Sequence, residues 1–150
     1  MDSAENGVRP IEVLLVEDSP GDVRLTREAF SEAHTSIHLH VATDGVEAMA
    51  FLRREGAHAK APRPDFILLD LNLPRMDGRE VLAEIKQDES LQTIATVILT
   101  TSESEADMVR SYRLHANCYL RKPVQLAAFE ILVNSISSFW LSTVELPTQN

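Results

Sequence analysis

The chain has 150 residues, of which 44% are hydrophobic and 25% are charged, a composition typical of an ordinary globular domain with one hydrophobic core. Its formal net charge of −9 argues against nucleic acid or an anionic membrane surface as the main partner. No stretch is apolar for long enough to predict a transmembrane helix or a signal peptide, and the single cysteine, Cys118, has no internal disulfide partner. We therefore predict a cytoplasmic protein.

Short apolar segments alternate along the chain with segments of helical periodicity. In chain order the sequence predicts strands at 11–16, 37–41, 66–69, 95–99 and 117–120. The helices between and after them are predicted to end at about 33 for the first, which Asp22 or Ser19 could cap, and to lie at 45–52, 78–87, 103–115 and about 126–141. Such alternation predicts an α/β domain with a doubly wound, five-stranded parallel sheet and helices on both faces.

The domain boundaries are predicted from composition. Residues 1–10 are polar and contain a glycine and a proline, which indicates a flexible leader. We expect a single domain over 11–146 and a short tail at 147–150, with no output domain.

The third strand consists of four apolar residues in succession, which indicates burial on both faces. Asp70 follows directly at its carboxyl end, and Pro74 and Gly78 then force the chain to turn. In open α/β sheets ligands bind at the carboxyl ends of the strands, so Asp70 is placed for chemistry. The alternative, in which Asp70 only caps a helix or forms a turn, leaves Asp18 and Lys122 unexplained.

Reactive side chains follow four of the five strands, namely Glu17 and Asp18, then Asp70, Thr100 and Lys122. A parallel sheet brings these strand ends to one edge, where three carboxylates and one ammonium carry a formal charge of −2. Carboxylates this close repel one another unless a cation lies among them, and hard oxygen ligands suit Mg²⁺. Asp70 would then act as a nucleophile that forms an acyl phosphate, while Thr100 and Lys122 hold the phosphoryl oxygens.

The same residues resemble the receiver domains of two-component response regulators. The matching motifs are Glu17-Asp18, the run from Asp70 to Gly78 (Asp-Leu-Asn-Leu-Pro-Arg-Met-Asp-Gly), Thr100, Tyr119 and Lys122-Pro123. Their order and spacing are specific, and the resemblance extends from residue 11 to about residue 141. It implies a flavodoxin-like sheet with strand order 2-1-3-4-5.

The resemblance also implies a role for each matching position in binding Mg²⁺ and the phosphoryl group. Asp70 would be the phosphoacceptor, and Asp18 and Asp70 would bind Mg²⁺ directly. Glu17 would reach the metal through water, and Asn72 would offer its backbone carbonyl. Lys122 would pair with the phosphoryl group.

Two further features follow from the resemblance. Thr100 and Tyr119 would form a switch pair, in which the hydroxyl moves toward the phosphate and the ring follows inward. The Lys122–Pro123 peptide bond would be cis. The chain departs from many receivers at Thr101, where a small residue is common, and this leaves the rate of dephosphorylation open.

Three further stretches are similar to the small regulators that pair with cyanobacterial phytochrome kinases. They are Val16 to Asp22, Leu114 to Tyr119 and Phe139 to Leu141. This similarity implies a phytochrome-type histidine kinase as partner and a homodimer through helix 4, strand 5 and helix 5.

The last helix contains more apolar residues than one buried face requires. Phe129, Val133, Ile136 and Trp140 recur at helical spacing and are predicted to be core, whereas Ile131, Leu132 and Phe139 lie off that stripe. We favour a dimer interface for the second set.

Two other functions remain open from the residues. A Mg²⁺-dependent phosphohydrolase with an aspartyl nucleophile usually has another acid two residues later, where this chain has Asn72. A flavodoxin-like FMN carrier needs a phosphate loop rich in glycine and hydroxyl groups, whereas Glu17, Asp18 and Asp22 would repel phosphate.

Overall fold

The computed structural model describes residues 9–33 and 35–147. The elements are β1 (Ile11–Val16), α1 (Pro20–Ser31), β2 (Ile37–Ala42), α2 (Gly45–Arg53), a 3-10 turn (Gly56–His58), β3 (Phe66–Leu69), α3 (Gly78–Gln87), β4 (Ala95–Thr100), α4 (Glu105–Arg113), β5 (Cys118–Arg121) and α5 (Leu126–Phe139). Residues 1–8 of the expected leader and residues 148–150 of the expected tail lie outside the described residues. At the start of the described chain, the Arg9 guanidinium bonds to the Asp65 carboxylate at 2.5 and 2.9 Å.

The five strands form one parallel sheet in the order β2-β1-β3-β4-β5, which confirms the predicted flavodoxin-like fold. Val16 at the end of β1 pairs with Leu69 at the end of β3, and Thr100 at the end of β4 pairs with Arg121 at the end of β5. This register aligns the carboxyl ends of the strands, so that the residues after them leave the sheet at one edge.

Helices cover both faces of the sheet, because the apolar residues of each strand alternate between two buried layers. Within β3, Ile67 and Leu69 pack in the layer that contains the apolar residues of α2 and α3. Phe66 and Leu68 pack in the layer that contains the apolar residues of α5. All four side chains of β3 are fully buried, as the sequence predicts.

Side-chain caps decide where the helices begin. The Ser19 hydroxyl accepts the Asp22 backbone N–H, so Ser19 rather than Asp22 is the cap and α1 begins at Pro20. The Ser104 hydroxyl accepts the Asp107 backbone N–H, so α4 begins later than the predicted residue 103. The helix at 45–52 and the helix at 78–87 lie where the sequence predicts them, with the first extended by one residue.

Two other findings concern the expectations for the chain as a whole. The Lys122–Pro123 peptide bond is trans, so the expected cis bond is wrong. Since trans and cis X–Pro bonds differ by only about 0.5–1 kcal/mol, the dipeptide alone does not determine the isomer.

Within the described part of the chain, no helix combines the length and apolar character that a bilayer crossing requires.

A glycine allows α3 to begin directly against the end of β3. The backbone N–H of Gly78 donates to the Leu71 carbonyl at 3.0 Å. A Cβ atom at Gly78 would collide with the Asp70 carbonyl oxygen and would lie 2.6 Å from the Leu71 Cα atom. Glycine therefore keeps the backbone after Asp70 in place.

We predict that Gly78→Ala lowers the free energy of unfolding by about 1–3 kcal/mol, because the added methyl group must displace backbone rather than a flexible side chain. Urea unfolding followed by circular dichroism measures this change. Gly21→Ala in α1 is the matched control, since a Cβ there meets nothing within 4 Å. The control variant should be as stable as the original chain or slightly more stable. Equal stability of the two variants would contradict the close approach at Gly78.

Candidate functional site

Three carboxylates meet at the carboxyl edge of the sheet. Glu17 and Asp18 follow β1 directly, and Asp70 follows β3 directly. One ligand oxygen from each of them lies within 4.8 Å of the others. Glu17 is 3% exposed and Asp70 is 6% exposed, whereas Asp18 faces solvent. The pairing of Val16 with Leu69 explains this convergence, because it brings the two strand ends side by side.

The Lys122 ammonium contacts the same group of acids from the end of β5. It bonds to Glu17, lies 3.1 Å from an Asp70 oxygen and lies 2.9 Å from an Asp22 oxygen. The Lys122 side chain is only 5% exposed. The structure therefore brings together the predicted acids and the predicted lysine.

Asp22 is a member of this site that sequence reasoning missed as a functional residue and considered, with Ser19, only as a possible helix cap. The cap is Ser19, and with that cap Asp22 falls in the first turn of α1. From there its carboxylate reaches Lys122. The available signal was the dense acidic run after β1, which contains a third carboxylate four residues beyond Asp18.

The site carries excess negative charge. With Asp22 included, four carboxylates and one ammonium carry a formal charge of −3 rather than the −2 expected from the sequence. Burial raises the pKa of Glu17 to about 6 against the opposing effect of Lys122, and the charge of Asp70 adds to the rise. Burial lowers the pKa of Lys122, but the bond with Glu17 and the charges of Asp70 and Glu17 outweigh it and raise that pKa overall. The ammonium therefore stays charged.

Backbone donors hold the carboxylates in place. The Asn72 N–H donates to Asp70 Oδ1 at 3.1 Å, while the other Asp70 oxygen faces Lys122. The Ser19 N–H donates to Glu17 Oε2 at 3.1 Å. These bonds orient acidic oxygens that lie within reach of a common point. A role for the Asn72 backbone carbonyl as a ligand stays a prediction.

Thr100 and Tyr119 are connected through a residue that the sequence analysis did not single out. The buried Thr100 hydroxyl accepts the Ser102 N–H at 3.3 Å and faces the Asn72 side-chain amide at 3.5 Å. The Tyr119 hydroxyl donates to the Ser102 carbonyl at 3.3 Å. Ser102 therefore joins the predicted switch pair. A backbone link through the β4–α4 connection leaves no sequence signal.

The donor set fits a divalent metal ion. Glu17, Asp18 and Asp70 offer hard oxygen ligands, and the solvent-exposed Asp18 leaves one side open for water or a second ligand. A divalent cation reduces the formal charge of the site from −3 to −1, which removes most of the repulsion between the buried carboxylates.

Comparison with known protein families matches the part of the chain that contains the acidic cluster and Lys122. Residues 13–134 match the family described as response regulator receiver domain. The response regulator Rcp1 of Synechocystis sp. is 51% identical over 138 residues, which are 92% of this chain and 94% of Rcp1.

Solved structures agree with the sequence comparison. The Mn²⁺-bound form of Rcp1 superposes with a TM-score of 0.91 at 51% identity over 93% of this chain and all of that one. The phosphorylated cyanobacterial phytochrome response regulator RcpA also gives a TM-score of 0.91, at 49% identity over 93% of this chain and all of that one. The metal in the Rcp1 structure and the acidic cluster of this chain together support a divalent metal site.

We predict that Asp18→Asn weakens divalent cation binding at least tenfold, measured by titration calorimetry with MgCl₂ and MnCl₂. Two unit charges about 4 Å apart interact by roughly 1–4 kcal/mol between the dielectric limits of water and a protein surface, and a divalent cation doubles this energy. About 1.4 kcal/mol already corresponds to a tenfold change in affinity.

Asp22→Asn is the matched control, because it removes the same charge from a carboxylate that contacts Lys122 but lies outside the metal cluster. Its affinity should fall by less than about threefold, since the charge it removes is farther from the cation. Equal losses for the two variants would mean that the cation does not bind at the cluster.

Proposed function

This chain belongs to the response regulator receiver domain family, and we propose that it accepts a phosphoryl group from a histidine kinase onto Asp70, with Mg²⁺ as the cofactor. It is a signalling protein related to the response regulator Rcp1 and to RcpA, which is described as a cyanobacterial phytochrome response regulator. The observation that carries the proposal is the position of Asp70, which lies in the acidic cluster and against Lys122 at the same time.

Asp70 is the best-placed nucleophile of the cluster. One of its oxygens accepts a backbone N–H and the other faces an ammonium, so the carboxylate is oriented before a donor arrives. An Asp70 oxygen forms a bond to phosphorus while the phosphorus–nitrogen bond of a kinase phosphohistidine breaks. The electron pair of that bond goes to the imidazole nitrogen. The product on this chain is an acyl phosphate.

The surrounding residues have separate roles in this transfer. Lys122 pairs with the phosphoryl oxygens and offsets their charge. Asp18, Asp70 and the Asn72 carbonyl would hold Mg²⁺ directly and Glu17 would reach it through water; the bound ion would offset the charge of the phosphoryl oxygens. Thr100 offers its hydroxyl to the phosphoryl group, and Tyr119 follows it.

Two features count against the alternative functions. A phosphohydrolase of the aspartyl type lacks its second acid here, because Asn72 occupies that position and its N–H holds Asp70. An FMN carrier would have to place a phosphate beside four carboxylates that carry a formal charge of −3 together with Lys122. The receiver function uses the acidic cluster and Lys122 together.

The proposed kinase is of the phytochrome type. The support is the relationship to RcpA, which is described as a cyanobacterial phytochrome response regulator, at 49% identity over 93% of this chain. A cytoplasmic location belongs to the same proposal, because the kinase phosphohistidine must reach Asp70 in solution.

The output surface is proposed to be α4, β5 and α5, which also forms a homodimer. Ile131 is 68% exposed and Phe139 is 54% exposed on α5. They lie eight residues apart on one helix face. Phe139 also lines a groove of about 380 Å³, together with other apolar groups that include Leu120 and Trp140. A second copy of this surface would remove these side chains from water.

We predict that Asp70→Asn abolishes labelling by a ³²P-labelled phytochrome kinase or by acetyl phosphate in the presence of Mg²⁺, because the amide is not a nucleophile for phosphorus. Acid–urea gels and intact-mass spectrometry measure the label. The matched control is Asp88→Asn at the end of α3, which should be labelled like the original chain. Full labelling of Asp70→Asn would refute the assignment, and steady hydrolysis of phosphate esters would favour the phosphohydrolase.

We predict that Ile131→Glu converts the dimer into a monomer, since it places a charge on the proposed interface. Sedimentation equilibrium at micromolar concentration measures the change. Val46→Glu on α2 is the control, because Val46 is also exposed, at 42%, but lies outside the α4–β5–α5 surface. A dimer that survives Ile131→Glu unchanged would place the interface elsewhere.

A further inference from the structure

A bidentate ion pair joins α3 to α4 close to the proposed phosphorylation site. Arg79 Nε donates to Asp107 Oδ1 at 2.8 Å, and Arg79 Nη2 donates to Asp107 Oδ2 at 2.6 Å. The two side chains are only 19% and 18% exposed. Paired, partly buried guanidinium–carboxylate contacts of this kind are both strong and directional.

Each partner of the pair is anchored on a different side. Arg79 also bonds to Asp77, the cap of α3, at 2.9 Å and to the Leu71 carbonyl at 3.4 Å, so it is fixed to the loop that follows Asp70. Asp107 accepts the Ser102 hydroxyl at 2.6 Å. The ion pair therefore connects the loop after Asp70 to the β4–α4 connection.

Ser102 continues this connection to both switch residues. Its N–H donates to the Thr100 hydroxyl, and its carbonyl accepts the Tyr119 hydroxyl, both at 3.3 Å. Its own hydroxyl is held by Asp107. Movement of Ser102 must therefore change the partners of Thr100 and Tyr119 together.

We propose that Arg79 and Asp107 are positioning residues, which hold Ser102 so that a phosphoryl group on Asp70 moves Thr100 and Tyr119 as a unit. This inference rests on the proposed function of Asp70. Without the ion pair, Ser102 is free to give up either partner alone, and phosphorylation would reach Thr100 without a corresponding change at Tyr119.

The electrostatics of the pair agree with this role. The hydrogen bonds from Arg79 and then from Ser102 lower the pKa of Asp107 to about 2. The hydrogen bond to Asp107 raises the pKa of Arg79, and burial opposes this rise. Both groups are therefore ionised at neutral pH, and the clamp is in place under the conditions in which a kinase acts. The alternative is a purely structural role, in which the Arg79–Asp107 pair only stabilises the contact between α3 and α4.

The test uses the full chain with 3-fluorotyrosine in place of its two tyrosines, Tyr112 and Tyr119. Beryllofluoride with Mg²⁺ serves as an analogue of the phosphoryl group. One ¹⁹F NMR spectrum then reports both bound beryllofluoride and the Tyr119 ring, and Tyr112→Phe assigns the two ring signals. In the original chain, the Tyr119 signal should shift as beryllofluoride saturates the site.

Asp107→Asn should still bind beryllofluoride, because the carboxylate cluster and Lys122 are intact, but it should lose at least half of the Tyr119 shift. Arg79→Gln should lose as much, and the double variant no more than either single variant, since all three break the same pair. Ser102→Ala removes the hydroxyl that bonds to Asp107 and that also accepts the Ser104 N–H. It leaves the Arg79–Asp107 pair in place, should show an intermediate loss, and guards against misfolding of the charge variants.

Glu84→Gln is the matched control, because it removes another helix-to-helix ion pair, between Glu84 on α3 and Arg53 on α2 at 2.7 Å. It should keep the full Tyr119 shift. A full shift in Asp107→Asn, with or without lower thermal stability, would overturn the proposal and leave the pair a structural bridge. Failure of the original chain to bind beryllofluoride would instead overturn the proposed function of Asp70.

Discussion

The structure of the site depends on one ammonium group among carboxylates. Lys122 reaches from the end of β5 to Glu17 after β1, to Asp70 after β3 and to Asp22 in α1. Its single positive charge cannot balance the acids, so the edge of the sheet keeps a deficit that a divalent cation reduces. Repulsion between the carboxylates destabilises the site when no cation is bound, and the same excess of negative charge favours the binding of a cation. A bound cation in turn offsets the charge of a phosphoryl group.

The sequence predicts the fold well where burial alone decides the structure. The strand at 66–69 and the helix at 78–87 have the observed bounds, because an uninterrupted apolar run and the Asp77–Gly78 start signal leave little choice. The sequence predicts the ends of α4 less accurately, at 103 and 115 rather than at Glu105 and Arg113. Several hydroxyl and acidic residues precede that helix, and only the hydrogen bond from the Asp107 N–H identifies Ser104 as the cap.

The same distinction applies to the site. The sequence predicts that four of the site residues converge, because the carboxyl ends of parallel strands lie at one edge of the sheet. These residues are Glu17, Asp18, Asp70 and Lys122. The sequence does not predict the contacts of Asp22 and Ser102, because they depend on the angle at which α1 leaves β1 and on the path of the β4–α4 connection. Side chains on strand ends follow from topology, whereas contacts made across loops require coordinates.

The hydrogen bonds around Ser102 fall into a group of short, strong bonds and a group of longer, weaker bonds. Arg79–Asp107 and Asp107–Ser102 are charge-assisted bonds of 2.6–2.8 Å, whereas the bonds that hold the Thr100 and Tyr119 hydroxyls are neutral and measure 3.3–3.5 Å. A hydrogen bond between neutral groups contributes about 0.5–1.5 kcal/mol to stability, whereas a hydrogen bond to a charged group contributes about 1.5–3 kcal/mol. If Asp70 is phosphorylated as proposed, we therefore expect the Thr100 and Tyr119 hydroxyls to change partners more readily than the ion pair does. In the proposed switch, the weaker bonds therefore set the route of the movement, from Thr100 through Ser102 to Tyr119 on β5.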